Sequence, residues 1–227
     1  MNQKRLAKAM SDAGYCSRRD AEKIILESRV AVDGKIINTP AFNVTDQNKI
    51  TIDGKALAAK EIQKIWLYHK PAGLVTTHKD PQDRPTVFEN LPAHLPRVIS
   101  VGRLDLNSEG LLLLTNSGDL ARKFELPSNK FIRVYKVRVN GYVDMKALSG
   151  VTKGNTIEGQ RYRVESIKLT KAGNNSWLEV ELAEGKNREI RKIFSHFGLS
   201  VNRLIRISYG PYKLGDLKPG EVAEAKL

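Results

Sequence analysis

A chain of 227 residues, 41% hydrophobic and 28% charged, is long enough for one or two packed domains and too apolar to be disordered. Its net charge of +13 points to an anionic polymer as partner, because lysine and arginine neutralise phosphates and release counterions. No apolar run is long enough to span a membrane, a single cysteine (Cys16) excludes an internal disulfide, and four scattered histidines lack ligand spacing.

The opening stretch MNQKRLAKAMSDAG has no apolar core or cleavage site, so a cytoplasmic protein without a secretory signal, metal or membrane attachment is expected. Residues 1–60 hold 11 Lys and Arg against 7 Asp and Glu, and the remainder 27 against 18, which suggests two basic regions on one polymer. Leu6, Ala9, Met10 and Ala13 recur at helical spacing and Gly14 supplies a stop. Ser17, with Asp20 three residues on, reads as the N-cap of a second helix running to about Ser28, with Ala21, Ile24 and Ile25 inward. RVAVDG, KIIN and KITIDG then read as short strands, with both Asp-Gly pairs as hairpin turns.

These pieces, RLAKAMSDAGYCSRRDAEKII and the following VAVDGK, resemble the ribosomal protein S4-type RNA-binding domain over roughly residues 4–58. The resemblance implies that Arg5, Ser17, Arg18, Arg19 and Lys35 face structured RNA. Helix-dipole arguments agree for Arg18 and Arg19, since cations in a first helical turn are unfavourable without an external anion. Where that family commonly has glycine before the first strand, this chain has Ser28.

AAKEIQK (58–64) reads as a linker between an N-terminal domain of residues 1–60 and a second domain of 65–227. IWLYHK then reads as a strand, broken by Pro71 and Gly73 so that Lys70 lies near a loop. VISV and LLLLT read as strands, DLARKFEL as a helix, and FIRVYKVRV as a strand with Phe131, Arg133, Tyr135, Val137 and Val139 on one face. RYRVESIKLT and WLEVELAEG read as two more strands joined at AGNN. In NREIRKIFSHFG, Asn187 is expected to cap a helix that buries Ile190, Ile193, Phe194 and Phe197 and ends at Gly198. The tail supplies closing strands, so the class is α+β with a mainly antiparallel mixed sheet.

No nucleotide-cofactor, zinc-protease or thiol-protease signature is present. Read alone, Asp105 in GRLDLNSEGLLLL is a turn residue held by local hydrogen bonds. Four ordered stretches, KPAGLVTT (70–77), GRLDLNSEGLLLLTNSGDLA (102–121), RVYKVRV (133–139) and EGKNREIRKIF (184–194), nevertheless resemble the RsuA/RluB family of pseudouridine synthases, closest to its large-subunit branch. The resemblance implies isomerisation of a flipped uridine in a structured stem-loop of ribosomal RNA, 23S rather than 16S, by a monomer without cofactor. The target is free rRNA or a ribosomal subunit assembly intermediate.

It further implies that Asp105 is the acting carboxylate, either attacking the sugar or removing its C2′ hydrogen in a glycal route. Tyr135 is then expected to stack on the flipped uracil, and Arg191 to lie within ion-pair reach of Asp105, at ~4 Å. Arg103, Lys70, Asn187, Arg188 and Ile190 complete the expected substrate-binding set, Ile190 as a wall and Lys70 as loop support or RNA contact. Two other readings remain: a non-catalytic rRNA-binding or assembly protein, and a nucleoside or glycoside hydrolase with Glu109 as second carboxylate.

Overall fold

The computed structural model describes residues 3–59 and 62–226. In chain order the elements begin with β1 (Lys4–Arg5), α1 (Leu6–Asp12), α2 (Arg18–Leu26), β2 (Val30–Val32), β3 (Lys35–Ile37), β4 (Asn43–Val44), β5 (Ile50–Ile52) and β6 (Lys55–Ala56). Then come β7 (Ile65–Lys70), β8 (Ile99–Ser100), β9 (Glu109–Thr115), α3 (Gly118–Glu125), β10 (Arg133–Asn140) and α4 (Met145–Ser149). The chain continues with β11 (Asn155–Ile157), β12 (Gln160–Tyr162), β13 (Ser166–Lys171), β14 (Asn175–Leu182) and α5 (Glu189–His196). It closes with β15 (Ser200–Tyr209), β16 (Tyr212–Lys213) and β17 (Val222–Ala225). Two compact units result, the first built chiefly on residues 1–63 and the second on those from 64 onward. The stretch 58–64 expected as a linker includes residues 60 and 61, which lie outside the described residues.

In the first unit α1 and α2 pack over a four-stranded sheet of order β3-β2-β5-β6. Ser17 caps α2: its hydroxyl accepts the Asp20 N–H at 3.1 Å and donates to the Asp20 carboxylate at 2.6 Å. Both Asp-Gly pairs, Asp33-Gly34 and Asp53-Gly54, have positive φ at both residues, the geometry of a two-residue hairpin turn. Ser28 also takes a left-handed φ of 59°, which explains why glycine suits that position. The core of this unit is Leu6, Ala7, Met10, Ala21, Ile25, Val30, Val32, Val44 and Ile52.

The second unit is built on a large sheet of order β13-β14-β10-β15-β9-β7-β17, with β16 added to β15 and β8 to β9, and carries a separate β11-β12 hairpin. Every pairing is antiparallel except β15 with β9. All four leucines of β9, Leu111 to Leu114, are fully buried, because this central strand is covered on both faces. Gly110, the second residue of that strand, has φ 99°, and a Cβ there would sit 2.3 Å from the backbone oxygen of Arg206. Only glycine therefore permits the β9–β15 approach.

Two expectations need correction. RYRVESIKLT is not one strand. Glu158 and Gly159, both at positive φ, turn β11 into β12, and β13 begins only at Ser166. Phe131 precedes β10 and stacks on Phe124 at 4.5 Å in the core, instead of extending the strand face.

Candidate active site

Asp105 opens a β-turn in which the Ser108 N–H donates to its carbonyl at 3.0 Å. Its side chain does none of the local bonding that makes aspartate common in turns. Among the described residues the carboxylate accepts no hydrogen bond and joins no ion pair. It faces a cavity of about 500 Å³ in the second unit.

The turn is held from behind, through its backbone. Lys70, at the end of β7, is 0% exposed, and its ammonium donates to the carbonyls of Pro71 (2.9 Å), Asp105 (3.2 Å), Leu106 (3.4 Å) and Ser108 (2.9 Å). Arg191 of α5 takes the one carbonyl that Lys70 leaves: Nη2 donates to Asn107 at 3.0 Å while Nη1 donates to Val201 at 2.9 Å. Four successive carbonyls, 105 to 108, are thus gripped by two cations. KPAGLVTT supplies two more ties, the Gly73 N–H to Leu106 O at 2.8 Å and the Thr76 hydroxyl to Leu104 O at 2.9 Å.

Burial depresses the Lys70 pKa from 10.5 to about 8, although Asp105 and Glu109 pull it upward. The Arg191 pKa is lowered first by burial and then by Arg188, with Asp105 acting in the opposite sense. Of the two roles expected of Lys70, its complete burial and its carbonyl contacts fit loop support and not RNA contact. One expectation is corrected here. Arg191 and Asp105 do not form the expected ion pair, because the guanidinium fork is occupied by the carbonyls of Asn107 and Val201.

The cavity floor is the sheet face bearing Arg133 and Tyr135 of β10, Leu182 of β14, and Leu204, Arg206 and Tyr209 of β15. A bulge helps to make this floor. Val134 pairs with Ser208 but Tyr135 with Arg206, so Ile207 is the extra residue and Arg206 and Tyr209 both reach the cavity. Arg133 donates to Phe131 O and Ala183 O at 3.1 Å each and to the Tyr209 hydroxyl at 2.7 Å. Burial raises the Tyr209 pKa against the lowering effect of Arg133.

Arg103, Asn187, Arg188 and Ile190 line the walls, the first three exposed and Ile190 buried. Asn187 does not cap α5. The N-cap is Arg188 in a left-handed conformation, and the Glu189 carboxylate accepts the Lys186 N–H at 3.0 Å. Burial raises the Glu189 pKa. In the first unit, Arg18, Arg19 and Lys35 are exposed, Ser17 caps α2, and Arg5 donates to the Ala41 carbonyl.

Arg133, Arg206, Tyr209 and Thr76 escaped the sequence reading. Arg133 was visible on the Tyr135 face, but Tyr209 falls out of step with the alternation of its strand until the bulge is known. Glu109, the alternative second acid, does not line the cavity. Arg203 holds it in a fork at 2.9 and 2.8 Å and lowers its pKa.

A family model described as RNA pseudouridylate synthase matches residues 64–196, and one described as S4 domain matches residues 4–50. A Rickettsia felis protein described as an uncharacterized RNA pseudouridine synthase is 59% identical over 221 residues, covering 97% of this chain and 96% of that protein. Ribosomal large subunit pseudouridine synthase B of Salmonella typhimurium is 42% identical over 217 residues, covering 92% of this chain and 75% of that protein. A crystal structure of pseudouridylate synthase superposes with a TM-score of 0.68 at 24% identity, covering 98% of this chain and 96% of that one, a likeness of fold.

Proposed function

This chain belongs to the RNA pseudouridylate synthase family and carries an S4 domain, and on that premise we propose that it converts uridine to pseudouridine in large-subunit (23S) ribosomal RNA, with Asp105 as the acting carboxylate. The observation that carries the reading is the unpaired Asp105 carboxylate, aimed into a cavity by a turn whose four carbonyls are held by Lys70 and Arg191.

The C1′–N1 bond of a flipped uridine breaks, and its electron pair passes to the uracil ring. Asp105 takes up the electron deficiency at C1′ by bonding to it, or accepts the C2′ proton to leave a glycal. The released base turns and C5 bonds to C1′ as the bond to Asp105 breaks or, in the glycal route, as C2′ takes its proton back. C5 then gives up its hydrogen and N1 gains one, so the carboxylate is regenerated. One carboxylate suffices, because the base is both leaving group and incoming nucleophile. A hydrolase needs a second, proton-donating acid, and Glu109 is unsuited to that by its Arg203 clamp and lowered pKa.

Tyr135 and Leu204 on the floor and Ile190 on the wall form a surface against which a uracil ring can stack. Arg103 and Arg188, exposed at the rim, are suited to backbone phosphates, and Asn187 to a polar contact beside them. Lys70 and Arg191 act as positioning residues. The net charge and the exposed Arg18, Arg19 and Lys35, with Arg5 and Ser17, support a second grip on structured RNA. No helix among the described residues is long and apolar enough to cross a membrane. Action as a monomer in the cytoplasm, on rRNA or an assembling subunit, completes the proposal.

The test is conversion of transcribed 23S rRNA. The expected product is pseudouridine at unchanged RNA mass, abolished in Asp105→Asn with RNA affinity retained. Release of free uracil would point to the hydrolase, and untouched RNA to a binding protein.

A further inference from the structure

We propose that Arg206 is a second catalytic group, the donor that stabilises negative charge on the uracil ring as the glycosidic bond breaks. The inference rests on the reading of Asp105 given above. A carboxylate working on the sugar side leaves the electron pair of the C1′–N1 bond on the base, spread over N1, O2 and O4. In a cavity poor in water, that charge calls for a fixed donor on the base side.

Five cationic side chains line the cavity. The Arg133 guanidinium is occupied by two carbonyls and the Tyr209 hydroxyl. Lys186 is occupied by the Arg161 carbonyl and Glu184. Arg103 and Arg188 are exposed, where water screens them.

Arg206 differs from all four. It is only 3% exposed, yet its one hydrogen bond runs from Nε to Leu111 O at 2.7 Å, and its buried Nη2 has no partner. No carboxylate pairs with it among the described residues. An unpaired cation is costly to bury, and an unsatisfied donor of this kind calls for an explanation. Its place supplies one. Arg206 is the direct cross-strand partner of Tyr135, on the same sheet face, beside the surface proposed for the base.

The Tyr209 ring lies 5.0 Å from the guanidinium carbon, and the Leu111 carbonyl fixes Nε, so the free edge is oriented before substrate arrives. Arg206 transfers no proton: it donates hydrogen bonds to a ring oxygen while the electron pair of the broken bond enters the ring.

The experiment measures single-turnover loss of the N-linked nucleoside in wild type, Arg206→Met, Arg206→Lys and Asp105→Asn, on RNA carrying uridine or 5-fluorouridine at the target. Fluorine withdraws charge from the departing ring and lessens the need for a donor. Arg206→Met is expected to lose about 100-fold on uridine with RNA affinity unchanged. On 5-fluorouridine the loss is expected to shrink to about tenfold. Arg206→Lys keeps the charge without the fork and is expected to show a smaller loss with the same substrate dependence; it carries the result if the methionine variant does not fold. Equal losses on both substrates would assign Arg206 to support of the floor. Weakened binding at an unchanged rate would assign it to phosphate, and an unchanged variant would likewise end the proposal. An active Asp105→Asn would overturn the reading of the site itself, whatever Arg206 shows.

Discussion

Lys70→Met isolates the feature on which the site depends. Methionine nearly fills the space of the lysine stem but brings neither charge nor donor. In wild type the sealed ammonium has a pKa of about 8 in place of 10.5, a difference worth about 3 kcal/mol. Below pH 8 folded and unfolded chains both carry the proton, and the folded state bears the full burden of the buried charge. Between pH 8 and 10.5 the unfolded chain still binds the proton and the folded one releases it, so the Lys70 contribution makes stability rise with pH. The variant lacks this contribution, and every other titrating group cancels in the difference.

Wild-type minus variant stability, from urea unfolding at several pH values, should therefore climb by about 3 kcal/mol from pH 7.5 to 10.5. A flat difference would refute the buried, charged lysine. At neutral pH the two proteins should be close. The variant sheds that burden, but the Pro71 and Ser108 carbonyls lose the ammonium at about 1–3 kcal/mol each. The Asp105 and Leu106 carbonyls keep the N–H groups of Ser108 and Gly73. Function should suffer more than stability: with the turn unanchored, single-turnover conversion should fall about 100-fold at unchanged RNA affinity. Full activity would show that the loop does not need its lysine.

Arg191→Lys keeps the charge but not the fork that spans the Asn107 and Val201 carbonyls, so conversion should fall about tenfold or more. A near-wild-type rate would show that charge beside Asp105 is all that Arg191 supplies. Arg18→Gln with Arg19→Gln in the full chain should flatten the dependence of log affinity on log salt by about two. The maximal rate at saturating RNA should be untouched; an unchanged slope would remove this helix from the RNA interface.

Local chemistry was legible where it is governed by neighbours in sequence. Ser17 with Asp20, the two Asp-Gly turns and the leucine run of β9 each declare themselves through capping, positive φ or sustained apolarity. What escaped is set by distant partners. Lysine at the end of IWLYHK reads only as lying near a loop, and lysine is seldom buried; it is buried because the carbonyls of Asp105, Leu106 and Ser108, 35 to 38 residues away, converge on it. Arg206 and Tyr209 reach one floor only through the bulge at Ile207, a shift of one that alternation cannot show. Asn187 looked like a helix cap by residue type, yet the left-handed Arg188 takes that place and Glu189 closes the turn.

The absence of a direct Asp105–Arg191 pair has chemical sense. A carboxylate in an Arg fork has its lone pairs engaged by donors, which opposes any attack on carbon or uptake of a proton. Cations that bind the backbone carbonyls behind it leave those lone pairs available. Their fields still reach it, since Asp105 acts on the titration of both Lys70 and Arg191. Electrostatic support and geometric restraint thus come from the same two side chains, neither touching the reactive oxygens. Lys70 spans both ends of the turn, at Asp105 and Ser108, and Arg191 secures Asn107 between them. Lys70 reaches the turn from the strand before the loop and Arg191 from the helix between the floor strands β14 and β15, so the direction of Asp105 depends on three separated segments of chain being in place. A defect in any of them should therefore appear first as misdirected chemistry at Asp105, ahead of any loss of RNA binding.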